Sequence, residues 1–85
     1  MLRRVAATPP ATRVDAGTAV MLLAQAVRDQ SAVVMGYVDP AGVATQRVVS
    51  PISVRGGQLV AFDSASGRVR DFAVHRVTSV VSVDD

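Results

Sequence analysis

Residues 56–77, GGQLVAFDSASGRVRDFAVHRV, constrain the fold more than any other stretch of the chain. Two apolar runs flank a Ser/Gly turn at 64–67. Each run is short, alternates in character, and is bounded by residues that favour turns, which is the signature of antiparallel hairpins. The stretch also carries Arg68, Arg70 and Arg76 and closes on His75-Arg76-Val77.

The same punctuation recurs upstream. VVMGYV at 33–38 reads as a strand, and Asp39-Pro40-Ala41-Gly42 as a turn in which Pro presets φ and Gly closes. VATQRVVS at 43–50 reads as a second, antiparallel strand. Pro51 is expected to break the ladder, leaving 52–54 as a short separate segment. A Gly-rich turn at 55–57 leads to QLVAFD at 58–63, and the turn at 64–67 leads to RVRDFAV at 68–74. His75-Arg76-Val77 interrupts the alternation as a short 3₁₀ turn, and TSVVSV at 78–83 is the last strand.

Ahead of the strands the period is helical. Ala16, Ala19, Val20, Leu23, Ala24 and Val27 recur at spacings of three and four, with Met21, Leu22 and Ala26 widening the stripe. Asp15 or Thr18 can cap the start. A helix over about 16–29 is predicted, packed by its apolar face against the sheet. Residues 1–14, with Pro9-Pro10, read as a flexible linker, and 15–85 as one domain; such a start suggests attachment to something longer. The fold class is α+β: an N-terminal helix, then a small, strongly bent antiparallel sheet or barrel whose open end the helix plugs.

Composition narrows the function. Valine dominates a chain that is 49% hydrophobic and 4% aromatic. There is no cysteine, which removes disulfides, thiol nucleophiles and Cys-ligated zinc, and no cofactor is expected. The longest apolar run, 19–27, contains Gln25 and is shorter than the ~20 residues of a spanning helix. With no secretory signal pattern at the start, a cytoplasmic location is expected. All seven acidic residues are aspartate, none placed as an acid/base pair. His75 could be grouped with Ser50, Ser53, Ser64 or Ser66, but none of these sits in a nucleophile-elbow sequence. No catalytic activity is expected.

The nine basic residues are all arginine, and the formal charge is +2. Arg68 and Arg70 share one strand face, because side chains alternate with period two. Arg47 stands mid-strand beside Val48 and Val49, a poor place for a charge without a partner or a task. Two readings stay open. Arg47, Arg70 and Arg76, with Arg68, converge to grip phosphates; or Arg47 or Arg76 pairs with Asp63 or Asp71 as a structural bridge.

The motifs GYVDPAG, QRVVSPISV, GGQLVAFD and RVRDFAVHRV resemble those of the WYL domain family. The matching positions are Tyr37, Gly42, Arg47, Pro51, Leu59, Phe62, Arg70, Phe72, Arg76 and Val77. Of the naming tripeptide only Leu59 remains, after Gly57 and Gln58. Ala73 stands where the family often has Arg, and His75 where it usually has Asp. The resemblance implies a five-stranded Sm-like/SH3-type β-barrel. It also implies ligand sensing through a basic patch, carried here by Arg47, Arg70 and Arg76, to which the shared strand face adds Arg68. The implied ligand is nucleic acid, single-stranded in preference to duplex, or a small anion. A place in a larger DNA-associated or transcription-regulatory protein follows. The variant motifs are also similar to the C-terminal part of helicase-associated proteins related to XPB-like helicases. The alternative to anion binding is protein interaction or homo-oligomerisation through exposed strand edges, TSVVSV above all.

Overall fold

A computed structural model describes residues 14–83. One helix, α1 (Ala16–Asp29), precedes strands β1 (Val33–Val38), β2 (Ala44–Arg55), β3 (Gln58–Asp63), β4 (Arg68–Ala73) and β5 (Val77–Ser82). A 3₁₀ turn, Val74–Arg76, links the last two, one residue earlier than the sequence pattern suggests. All the strand pairings are antiparallel, in the order β4-β3-β2-β1-β5. The ladders describe an open sheet with β4 and β5 at its edges. Most of the expected linker lies outside the described residues. Val14, at its end, donates its N–H to the Thr78 carbonyl at 3.0 Å and packs against the core.

Pro51 does not break the second strand. β2 runs through it for 12 residues, and the register against β3 shifts between Pro51 and Ser53. That shift is a bulge, the setting in which a sheet accommodates proline, and it increases the local bend. Pro51 opposes Ala61 and Val54 opposes Leu59, so the bulge turns both to the inner side while Ile52 is exposed. β2 therefore pairs β1 with its first half and β3 with its second, and Val49 opposes both Val33 and Asp63.

Residues directly opposite in antiparallel strands project from one face. The inner face thus carries Val33, Met35 and Tyr37 of β1, Arg47 and Val49 of β2, Leu59, Ala61 and Asp63 of β3, and Arg68, Arg70 and Phe72 of β4. Its apolar members, with Val74 and Val77, form the core beneath Ala19, Leu23 and Ala26 of the helix. The buried helical stripe is narrower than its sequence suggests: Val20, Met21 and Leu22 face outward. No helix among the described residues is long and apolar enough to cross a membrane.

Two local devices hold this arrangement. Asp15 caps α1, its Oδ1 accepting from the Thr18 N–H at 2.8 Å. The Thr18 backbone N–H, then the Thr18 side chain, hold the Asp15 carboxyl below its usual range. A carboxyl depressed by folding stabilises the fold above its unfolded-state pKa, and that contribution disappears as pH falls through the folded value. Asp15→Asn is therefore expected to lower the melting temperature at neutral pH, with the gap to wild type closing on acidification; a pH-independent gap counts against the charged cap. The second device is Gly36, where β1 meets β5. A Cβ there would lie 2.6 Å from Ser79 Oγ and 2.7 Å from Thr78 Oγ1. Gly36→Ala is expected to cost about 1–3 kcal/mol in chemical denaturation, as overpacking does; an unchanged midpoint would show that the hydroxyls move aside freely.

Candidate functional site

Period-two alternation along β3 brings Asp63 to the buried side after Leu59 and Ala61, and its carboxylate is fully buried. Arg47 reaches it from β2, Nη1 donating to Oδ2 at 3.0 Å. Arg70 approaches the same oxygen from β4, Nη1 at 3.6 Å. The other oxygen, Oδ1, accepts from the Ala65 N–H at 3.2 Å, which fixes the carboxylate to the β3–β4 turn. The Arg47 side chain is 24% exposed and that of Arg70 is 44% exposed. Arg68 opposes Asp63 in the ladder and is exposed.

Phe72 lies beneath both cations. The Arg47 and Arg70 Cζ atoms stand 5.8 and 5.9 Å from its ring centroid, within the range of cation–π attraction. Tyr37 meets Phe72 edge-on, centroids 5.2 Å apart at 78°. The Tyr37 hydroxyl accepts from the Ala73 N–H at 3.0 Å, so one side chain of β1 reaches the end of β4 across the inner face. Arg47 Nε is buried without a hydrogen-bond partner.

Of the four arginines singled out from the sequence, the fold brings Arg47 and Arg70 together on one carboxylate, with Arg68 opposite it in register. Arg76 does not join them on Asp63. Its Nη1 donates to the Asp39 carbonyl at 3.1 Å and the Val38 carbonyl at 3.5 Å, tying the 3₁₀ turn to the β1–β2 turn. The bridge expected for Arg47 and Asp63 is present, whereas Asp71 lies exposed on β4. Sequence reasoning left Asp63 as one pairing partner among two and gave Phe72 no role here. The signal for Asp63 was its place two residues beyond Ala61 on the buried period.

Two guanidinium groups share one carboxylate, so the cluster keeps one positive charge in excess, before Arg68 is counted. Such a surface attracts anions. The rings beneath it are covered, Phe72 being 3% exposed, so they offer no free face for a base to stack on. Three clefts elsewhere on the molecule are lined by none of these arginines. His75 is exposed beside a shallow cleft with Asp15, Val14, Val77 and Thr78. Among the described residues, no three His, Cys, Asp or Glu side chains are grouped to hold a metal ion.

A helix packed on a bent five-stranded antiparallel sheet, with paired arginines at the inner face, defines a small α+β domain. The chain belongs to the WYL domain family, whose model matches residues 18–82. Among solved structures it is similar to proteasome accessory factor B/C (PafBC) of Arthrobacter aurescens, with a TM-score of 0.77 and 19% sequence identity. That similarity covers 92% of this chain and 13% of the other, so the chain spans a small part of the protein it resembles. At this identity the likeness concerns the fold. No curated protein sequence matches the chain significantly. The expected relation to helicase-associated proteins finds no support. Several of the motif residues that suggested it, Asp39, Gly42 and Gly56-Gly57 among them, occupy or adjoin hairpin turns, where such residues are required by backbone geometry in many folds.

Proposed function

We propose that this WYL domain is a non-catalytic accessory module of a larger DNA-associated or transcription-regulatory protein, and that it binds phosphate-bearing anions on the face formed by Arg47, Arg68 and Arg70. Its sheet curls as a Sm-like/SH3-type barrel; the bulged β2 and the Tyr37–Ala73 hydrogen bond across the inner face support that reading. The observation that carries the function is the excess of guanidinium over carboxylate around Asp63. Arg76, tied by its guanidinium to the β1–β2 turn, stands outside this face. The face is open, which suits a strand of nucleic acid better than an enclosed small molecule. Buried Phe72 and Tyr37 leave phosphate contact as the main term, so binding should be weakly sequence-dependent and strongly salt-dependent.

Self-association through strand edges is the weaker reading. Val14 already occupies the Thr78 carbonyl of β5. Along β4, a symmetric antiparallel pairing centred on Arg70 or Asp71 sets that residue against its own copy, and like charges directly opposite destabilise a ladder.

The test is anisotropy of a labelled single-stranded oligonucleotide at several salt concentrations, with duplex and pyrophosphate as competitors. Arg68→Ala and Arg70→Ala are expected to weaken binding, and each to reduce the salt slope by about 0.7. Effective competition by pyrophosphate alone would assign the site to a small anion. No binding by the wild type, or identical binding by the variants, would overturn the proposal.

A further inference from the structure

We infer that Asp63 is a built-in competitor for the incoming anion, and that Arg70 is the arm it gives up. The inference rests on the anion-binding reading and concerns how that site discriminates.

The two arginines are held unequally. Arg47 donates a 3.0 Å hydrogen bond to Oδ2, is mostly covered, and has a buried Nε. Arg70 stands at 3.6 Å from the same oxygen, outside hydrogen-bond range, with 44% of its side chain exposed. A half-exposed ion pair at that separation is weak, because water screens it. Asp63 itself cannot follow a departing arginine, since the Ala65 N–H holds Oδ1 and the residue is fully buried. The carboxylate therefore keeps Arg47, while Arg70 is the arm that can leave Asp63 at little cost.

An anion at this face must therefore attract Arg70 more strongly than a fixed internal carboxylate does. It must also approach that carboxylate, and the two negative charges repel, with water around the half-exposed Arg70 softening the repulsion. A monoanion exchanges one negative partner for another and gains little. A doubly charged phosphate, or consecutive phosphodiesters that also reach Arg68, gains more than Asp63 withholds. Asp63 thus sets a charge threshold that admits phosphate-dense ligands and rejects chloride or acetate. Arg47 stays in place as the anchor, and Phe72 supports its guanidinium throughout.

Asp63→Asn tests this. Asparagine keeps an acceptor for Arg47 and removes the charge. The wild type and D63N are titrated with the labelled oligonucleotide, with acetate and pyrophosphate as competitors, after circular dichroism has established folding. D63N is expected to bind several-fold more tightly and to be displaced by acetate as the wild type is not. If the wild type binds and D63N binds equally or more weakly, the competitor role is wrong while the anion site stands. If neither binds, the anion reading fails and takes this inference with it. Should D63N not fold, the wild type still decides the matter through the arginine Nε–Hε resonances during a pyrophosphate titration. Arg70 is expected to shift and Arg47 to stay; equal shifts, or movement of Arg47 alone, would overturn the inference.

Discussion

Asp63→Ala is expected to lower the unfolding free energy by about 3 kcal/mol, the lower end of the cost of breaking a buried ion pair. The reason is asymmetric. Asp63 is fully buried, and its removal leaves two guanidinium groups facing each other over Phe72 with no counter-charge. The Ala65 N–H also loses its acceptor. Partial access of water to Arg47 and Arg70 keeps the penalty from reaching the upper end. A domain of this length holds about 4–13 kcal/mol of stability, so the loss is a large share of the total. Urea denaturation measures it. A fall below about 1 kcal/mol would mean that the pair is fully solvated in practice.

The pair need not be a net source of stability for this to hold. Desolvating an aspartate and an arginine is costly, and apolar replacements of both at once are often tolerated. The double variant Arg47→Met with Asp63→Leu should therefore lose less than the two single variants combined, by about 1–3 kcal/mol of coupling. Arg47→Met alone leaves the buried carboxylate with the Ala65 N–H and, as its counter-charge, only Arg70 at 3.6 Å. The fold tolerates these charges because each has a partner of opposite sign.

How much of this was legible in the sequence depends on the range over which each feature is determined. The hairpins of β2–β3 and β3–β4 follow from local turn residues, and Arg68, Arg70 and Phe72 share a face through alternation alone. The helix boundaries follow from the Asp15 cap and the change of period after Asp29. Pro51 misleads because its acceptability depends on a bulge, and a bulge is a property of two strands in register rather than of one segment. The helical stripe misleads because a small sheet covers only Ala19, Leu23 and Ala26. Arg47 and Asp63 were one of the pairings left open by the sequence, and the continuous β2 through Pro51 is what makes their strands neighbours. Arg76 was not foreseeable, because its partners are backbone carbonyls of Val38 and Asp39, which no side-chain pattern marks.

The largest single effect is expected from Phe72→Ala, at about 3–5 kcal/mol, the usual cost of emptying a buried aromatic site. Phe72 is 3% exposed, opposes Leu59 in the ladder, and meets Tyr37 edge-on. β4 is an edge strand whose other residues are mostly exposed, so Phe72 is its main attachment to the core. Its loss also removes the surface on which both guanidinium groups rest. Phe72→Leu separates the two roles. Leucine restores most of the apolar volume but has no ring quadrupole, so stability should fall by about 1–1.5 kcal/mol while the cations lose their preferred seat. Hydrogen exchange should then show β4 opening readily in Phe72→Ala and staying closed in Phe72→Leu. Equal protection of β4 in the two variants would mean that the strand is held by its ladder to β3, and that the ring matters only to the arginines.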